Sequence, residues 1–497
     1  MSNSCIHAFM IFKFPGKLDK TLIVFIFIAI AGFLLRLFKP AENPLDFDES
    51  IHAFTSFLLF KYNIYVYNPT THGPFLYYMT AGIFQVLGDN ILSARLFPAL
   101  FGGGMVLLLF PLRRYFGDVK FLLISGMIAF SYSFITFSRQ LRHDIFLAFF
   151  ILAFIVCMIL FFEHHSTLYL YSGSACLAIT MAIKPTTYIF MFIIVYFLIL
   201  NKNVFYRIYE ELNTQTGKNN KISFIIIYII LIFISINYLF YNNLSDGFFK
   251  AIYNWVYQIY YPSGNLKEIL FQPYYFYLIN LLKFEFIIFI TGLIGSIYYI
   301  LLKDKSYFIL FCSFWAILSL LIFSMIKYKT PDLILNIILP FIIVSGFFLG
   351  EIIERFFNKN RMNFTSIIII LLIVLVLINN PLLINSNNEY EEINQFIKIN
   401  KGEQNDIYLV SLLGNFYTIQ WPLPWYLREY NLLQADKGYA IELNYLFNAK
   451  YSDNAKDFVH PYKTKGVIIS STNITNMGKF GYNNSKRFEK SGVYIYY

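Results

Sequence analysis

The chain has 497 residues, 58% of them hydrophobic and only 14% charged, with a mean hydropathy of +0.56. Soluble domains carry about a quarter charged residues, so this balance excludes an ordinary soluble enzyme and makes lipid the main solvent. The formal charge of +10 does not indicate a nucleic-acid partner, because Lys and Arg sit in short clusters between apolar runs and form no stripe.

In chain order, the apolar runs predict membrane spans at 21–38, 90–112, 119–137, 144–162, 167–183, 186–200, 223–241, 276–301, 306–326, 333–350 and 364–380. Most approach the length needed to cross a hydrocarbon core of about 30 Å. The expected class is an α-helical polytopic membrane protein of about 11 transmembrane helices. The first run is not followed by a small-residue cleavage site but by Lys39, Pro40 and acidic residues, so it reads as a retained span. Cys5, Cys157, Cys176 and Cys312 show no metal or disulfide spacing and read as small apolar side chains or, for Cys5, as part of the N-terminal tail.

Orientation follows from charge. Lys13, Lys17 and Lys20 precede the first span, which places the N-terminus in the cytoplasm. Counting alternately, the clusters at Arg113, Arg114 and Lys120, at Lys202 to Lys221, and at Lys303 to Lys305 with Arg355 to Arg361 also fall inside. The connection at Glu163, His164 and His165 is the one cytoplasmic loop without Lys or Arg. An odd number of spans then carries everything after residue 381 outside. A transmembrane domain, 1–384, is expected to be followed by an extracytoplasmic α/β domain, 385–497. There "EEINQFIKIN" reads as an amphipathic helix, and "DIYLV", "GVIISS" and "GVYIYY" read as strands. The first outer loop, 39–89, predicts two amphipathic helices that lie at the interface, and the aromatic segment 242–275 fits the headgroup level.

The chemistry gathers on the outer side. In "LDFDESIHAF", Asp46, Asp48 and Glu49 follow the first span, with His52 one turn beyond Asp48 on the same helix face. A helix cap accounts for one acidic residue but not for three in four positions. A carboxylate against an apolar wall suits a general base that deprotonates a hydroxyl. The spacing of "DESIH" is that of a zinc peptidase, yet Asp48 stands where the first histidine ligand belongs. Asp46 and Asp48 can instead hold a divalent cation through oxygen ligands, although no cofactor is required.

"THGPFLYY" presents His72 at a fixed turn before a helix start, since proline suits the first helical turn. In "SRQLRHD", Arg139 and Arg142 stand at the outer end of a span where topology asks for no positive charge, and paired guanidiniums suit a phosphate. Asp144 reads as a neutraliser of Arg142. Lys184, Lys327 and Lys329 add cations to the same face. Trp421 and Trp425 in "WPLPWYLREY" offer either a stacking surface for an acceptor sugar or a contact between domain and membrane. A base, histidines and phosphate-binding cations beside lipid fit transfer from a lipid-linked phosphate donor.

These residues resemble the GT-C glycosyltransferases. "FDESIH" followed by "HGPF" is similar to the Asp-Glu and His-Pro-Pro elements of protein O-mannosyltransferases. A closer resemblance is to an archaeal flippase-activity-associated family of the same superfamily. It rests on "DESIHA", "THGPFLYY", "ARLFPALFGG", "SRQLRHDIFLAFF", "YKTPDLILNIILP" and "WPLPWYLREY". The resemblance implies an inverting transferase that uses a polyprenyl- or dolichyl-phosphate sugar donor and a glycan or protein acceptor. Asp48 matches the residue proposed as base, Glu49 its neighbour, and Arg139 and Arg142 the region of the donor phosphate; His52 or His72 would orient a substrate. Two departures stand out: Pro185 follows Lys184 where an acidic residue is expected, and Asp332 replaces a commoner aromatic. The alternative is a non-catalytic accessory or transport protein for lipid-linked oligosaccharide. It would show polar residues along several spans, whereas here they collect at the outer ends.

Overall fold

The computed structural model describes residues 19–65, 72–206, 271–302 and 306–360, isolated residues between 209 and 257, and, further on, 389–400, 406–410, 422–429 and the strands named below. The predicted spans 223–241 and 364–380 lie outside the described residues, as does Trp421.

The helices are α1 (Lys20–Leu37), α2 (Phe47–Tyr62), α3 (Phe75–Leu87), α4 (Ile91–Leu108), α5 (Asp118–Phe130), α6 (Tyr132–Ser138) and α7 (His143–His164). They continue with α8 (Thr167–Met181), α9 (Thr187–Leu200), α10 (Phe276–Phe284), α11 (Phe286–Leu301), α12 (Tyr307–Met325) and α13 (Ile334–Asn360). Among the described residues, five helical segments are long and apolar enough to cross a membrane, or seven if each of two bent pairs counts as one span. The segment from Pro331 into α13 is the most enclosed, with 83% of its apolar window buried, so it forms the centre of the bundle. The protein is a multi-pass membrane protein. Helices α2 and α3 fill the first long loop, as the amphipathic patterning of that loop predicts.

Ion pairs and hydrogen bonds sort the helix ends into two groups. At one end Arg113 pairs with Asp19 and Asp118 at 2.6 and 2.8 Å, and Lys120 pairs with Glu354 at 2.7 Å. The start of α1, the Arg113–Lys120 segment and the C-terminal part of α13 therefore share one end of the bundle. The loops after α1, α6 and α8 and the segment before α13 meet at the other end.

Two predicted spans are bent. The run 119–137 breaks at Ser131, where α5 and α6 diverge by 49°, and the run 276–301 turns by 116° at Glu285. A broken helix leaves carbonyls and N–H groups that lipid cannot satisfy. Here two buried charged side chains satisfy them. Arg36 of α1, fully buried, donates to the carbonyls of Ile128 and Ala129 at the end of α5, each at 2.9 Å. It also bonds the Gly32 carbonyl at 2.9 Å and the Ser138 hydroxyl at 3.1 Å. Glu285, at the second break, accepts from the Ser131 hydroxyl at 2.6 Å and the Ser133 N–H at 2.7 Å. Gly102 of α4 is required at this point, because a Cβ there would stand 2.1 Å from Ser138 Oγ.

Beyond residue 389 the character changes to α/β. Helix α14 (Glu389–Asn400), a short α15 (Leu423–Tyr426) and six strands are described: β1 (Asp406–Val410), β2 (Asn431–Asp436), β3 (Tyr439–Glu442), β4 (Val467–Ser470), β5 (Ser485–Phe488) and β6 (Val493–Tyr496). The sheet order is β3-β2-β1-β4-β6-β5, with β1 parallel to both β2 and β4 and the remaining pairs antiparallel. The three predicted strands are β1, β4 and β6. The α15 segment docks on the bundle: the Tyr426 hydroxyl accepts from Leu45 N–H at 3.2 Å, and Arg428 pairs with Asp89 at 2.8 Å.

Arg36→Met tests the account of the helix break. Removing a charge from a span relieves about 2.5–3.5 kcal/mol. Losing four charge-assisted hydrogen bonds of about 1.5–3 kcal/mol each outweighs that relief. A lowered unfolding temperature in detergent is expected; an unchanged or raised one would show that the carbonyls at the end of α5 do not depend on Arg36.

Candidate functional site

The N-terminus of α2 is built as a capping box. The Asp46 carboxylate accepts from Glu49 N–H at 2.8 Å, and Glu49 Oε2 accepts from Asp46 N–H at 3.1 Å. Capping therefore accounts for two of the three clustered acids, Asp46 and Glu49. Asp48 is the one it leaves.

Glu49 is held further by Arg95 of α4. The guanidinium approaches side-on, Nε to Oε1 at 2.8 Å and Nη2 to Oε2 at 2.6 Å, with both side chains almost fully buried. The remaining Arg95 donors close on the carbonyls of Pro40, Asn43 and Pro44 at 2.7, 2.8 and 3.0 Å, so the loop between α1 and α2 folds around one side chain. Glu49 Oε1 also accepts from Leu141 N–H at 2.8 Å, which ties in the segment between α6 and α7. Burial pushes the Glu49 carboxyl up, but Arg95 and the N–H groups of Leu141 and Asp46 outweigh it and hold it below the usual range. With both oxygens engaged, Glu49 positions its neighbours and has no free lone pair for proton transfer.

Arg142 enters from the same segment. It bonds Asp46 Oδ2 at 2.7 Å and Asp48 Oδ2 more closely still. Burial raises the Asp46 carboxyl, as does Glu49, against the pull of Arg142. The proposed cation pair Asp46–Asp48 thus has a guanidinium where a cation would sit. The Asp48 side chain is 47% exposed, and among the described residues its Oδ1 makes no hydrogen bond. Arg139 donates to the Leu35 carbonyl at 3.2 Å and forms no ion pair among the described residues. Burial and the nearby Arg95 pull its pKa down, which marks a cation short of counter-charge.

Three histidines lie behind Asp48. His52 follows it by one turn on α2, His72 precedes the turn into α3, and His143 opens α7. Their ring centroids are 5.2 Å (His52–His72), 4.7 Å (His52–His143) and 4.2 Å (His72–His143) apart. The His72 turn is pinned by Gly73 N–H to the Ile183 carbonyl at 2.9 Å, which explains how "HGPF" fixes its place. His52 Nδ1 faces the Tyr77 hydroxyl at 3.1 Å. Burial drops His52 to about 4 and His72 well below the ordinary range, so both rings are neutral.

Next to His143, Lys184 is shared by Asp144 at 2.7 Å and Asp332 at 2.9 Å, while Asn336 donates to Asp144 at 3.2 Å. Asp144 therefore pairs with Lys184, and the expectation that it neutralises Arg142 is corrected: Arg142 is taken by α2. Asp332 gives Lys184 its second carboxylate. Lys329 is spent on the carbonyls of Gln272 at 3.1 Å and Ile326, and Lys327 is exposed. Trp425 is 1% exposed, with Arg428 4.0 Å over its ring and Phe84 at 5.8 Å. It is a docking anchor, and its ring is not open to a sugar.

Among the expected residues, the structure brings together Asp46, Asp48, Glu49, His52, His72, Arg142 and Lys184. Arg95, His143 and Tyr77 were missed. A basic residue near the start of a span, as in "ARLFPALFGG", is the available signal for Arg95, and His143 lies within "SRQLRHD", where nothing local gives it a partner.

Residues 71–212 match the model of a family described as dolichyl-phosphate-mannose-protein mannosyltransferase. No curated protein sequence matches the chain. Among solved structures the chain is similar to ArnT from Cupriavidus metallidurans bound to undecaprenyl phosphate, at 14% identity and TM-score 0.65, covering 96% of this chain and 97% of that one. The apo state of the same protein gives 12% identity with the same score and coverage. The fold is the GT-C membrane fold.

Glu49 provides a pH test. A carboxyl held below its unfolded pKa of about 4.3 stabilises the fold above that value, and the contribution is lost as pH falls through the lower folded pKa. Glu49→Gln, which leaves Arg95 buried and uncompensated, is expected to cost about 3–5 kcal/mol near neutral pH. Unfolding temperatures measured from pH 7 to 3 should converge for the two chains on acidification; parallel curves would contradict the clamp.

Proposed function

We propose that the protein is an integral-membrane glycosyltransferase that takes a sugar from a polyprenyl-phosphate donor at the bundle end holding Asp48. The observation that carries this reading is the half-exposed Asp48 carboxylate, with one oxygen oriented by Arg142 and the other free among the described residues; Arg139, three residues before Arg142, adds a guanidinium that forms no ion pair among them. The GT-C fold and the matched mannosyltransferase segment support the same reaction class.

In the proposed step the acceptor hydroxyl attacks the sugar anomeric carbon as its proton passes to Asp48. The bond from that carbon to the phosphate oxygen breaks, and the lipid phosphate leaves with the electron pair. A single displacement inverts the anomeric centre. Arg139 takes the departing phosphate, since its guanidinium has donors to spare. Arg142 fixes the angle of Asp48, and the Glu49–Arg95 pair fixes the helix that carries it. His72 and Lys184 stand close enough to orient donor or acceptor. The basic end with Arg113, Arg114 and Lys120 faces the cytoplasm, so the site and the C-terminal α/β part face outward. The acceptor is a glycan or a protein hydroxyl. Membrane lipid is the solvent of the donor chain.

Purified protein in lipid with polyprenyl-phosphate-linked sugars should release free lipid phosphate. Asp48→Asn is expected to lower turnover by about 10²–10⁴-fold while donor binding persists. Arg139→Ala should instead weaken donor binding. Donor binding that needs Arg139, with no turnover for any acceptor, would replace this reading with the accessory role.

A further inference from the structure

His52, His72 and His143 come from three separate segments, and the nitrogen atoms they offer all lie within 4.8 Å of one another. Among the described residues, His72 Nδ1 and both nitrogens of His143 are buried without a hydrogen bond of good geometry, the Gly73 backbone giving His143 a weak partner. Each such orphan costs about 1–3 kcal/mol, and three in one place are an unusual load for a fold to retain unless something fills them. The rings do not satisfy one another. His72 and His143 stack face to face at 29°, a geometry that brings no N–H onto a lone pair.

Around the trio, Arg142 pairs with Asp46 and Asp48, and Lys184 pairs with Asp144 and Asp332. We infer that His52, His72 and His143 form a binding site for one divalent transition-metal ion, with zinc as the fitting occupant. Three imidazoles favour zinc and its neighbours over magnesium or calcium, which demand oxygen ligands. Zinc–nitrogen bonds of about 2.0–2.1 Å in a tetrahedron need ligand atoms about 3.3 Å apart, so the rings close inward by rotation. Tyr77, at 3.1 Å from His52 Nδ1, acts as the outer partner that fixes the tautomer: accepting from Nδ1–H leaves Nε2 free as ligand.

Three protein ligands leave a fourth position open. Its role rests on the transferase reading: beside Asp48 it can take an anionic oxygen of the donor phosphate and assist its departure. The metal binding itself does not rest on that reading. This site is also distinct from the Asp46–Asp48 pair, which Arg142 occupies.

The experiment strips the purified full chain in detergent with a chelator and titrates zinc alone, in competition with a chromophoric chelator and without any sugar donor. One zinc per chain is expected, with His52→Ala and His143→Ala each weakening it by at least about 100-fold and Asp46→Asn leaving it in place. Cobalt(II) added to the unaltered chain should give the visible absorption of a low-coordinate, nitrogen-bound ion, a readout that needs no variant to fold. Absence of both stoichiometric zinc and the cobalt band overturns the inference. So does binding that survives the histidine changes but is lost with Asp46→Asn. Because no turnover is read, a failed metal site leaves the transferase reading standing, and zinc binding with no transferase activity would remove only the latter.

Discussion

One buried ion pair organises the site. Glu49 and Arg95 meet inside apolar walls, and neither could be there alone, since an unpaired charge in such surroundings is costly by several kcal/mol. Each partner then uses its remaining capacity on backbone. Arg95 gathers the carbonyls of residues 40, 43 and 44, and Glu49 holds the N–H groups of Asp46 and Leu141. Three stretches distant in sequence are fixed by two side chains: the loop after α1 with the start of α2 that follows it, helix α4, and the turn between α6 and α7. That arrangement brings Arg142 onto Asp46 and Asp48 and places His52 beside His143. The position of Asp48 thus depends on a pair whose own donors and acceptors are all engaged.

The membrane imposes the second constraint. A span that stops short or bends must satisfy its own backbone, because lipid offers no partners. The chain meets this by burying Arg36 and Glu285 at the break between α5 and α6. The break matters for function, because α6 directs the chain into the Arg139–Arg142 turn. Charged residues thus serve two purposes at different depths. Inside the bundle they complete broken helices, and at its end they gather around the half-exposed Asp48.

Much of the fold was legible in the sequence. Nine of the predicted spans coincide with described helices or helix pairs, and the strands of "DIYLV", "GVIISS" and "GVYIYY" are present in the sheet. Hydropathy and period-two alternation report burial directly. The bends at Ser131 and Glu285 were not legible, because they depend on a partner about a hundred or more residues away and not on local proline or glycine. At the site, Asp48 and Arg142 were identifiable as charges out of place. Their pairing was not, and Asp144 was assigned to its sequence neighbour Arg142 when Lys184 holds it in space. Arg95 and His143 escaped notice for the same reason: each resembles an ordinary flanking residue until the fold supplies its partners. Trp425 shows the converse, an aromatic whose type suggested sugar stacking but whose burial makes it an anchor.

The central claim is that the clamp gathers these segments into the seat of a lipid-linked phosphate. A structure of the protein in a lipid nanodisc with added polyprenyl phosphate tests it most directly. The account predicts the phosphate within hydrogen-bonding distance of Arg139, beside the free oxygen of Asp48 and the His72 turn. A headgroup found at the opposite end, beside Arg113 and Arg114, would contradict it.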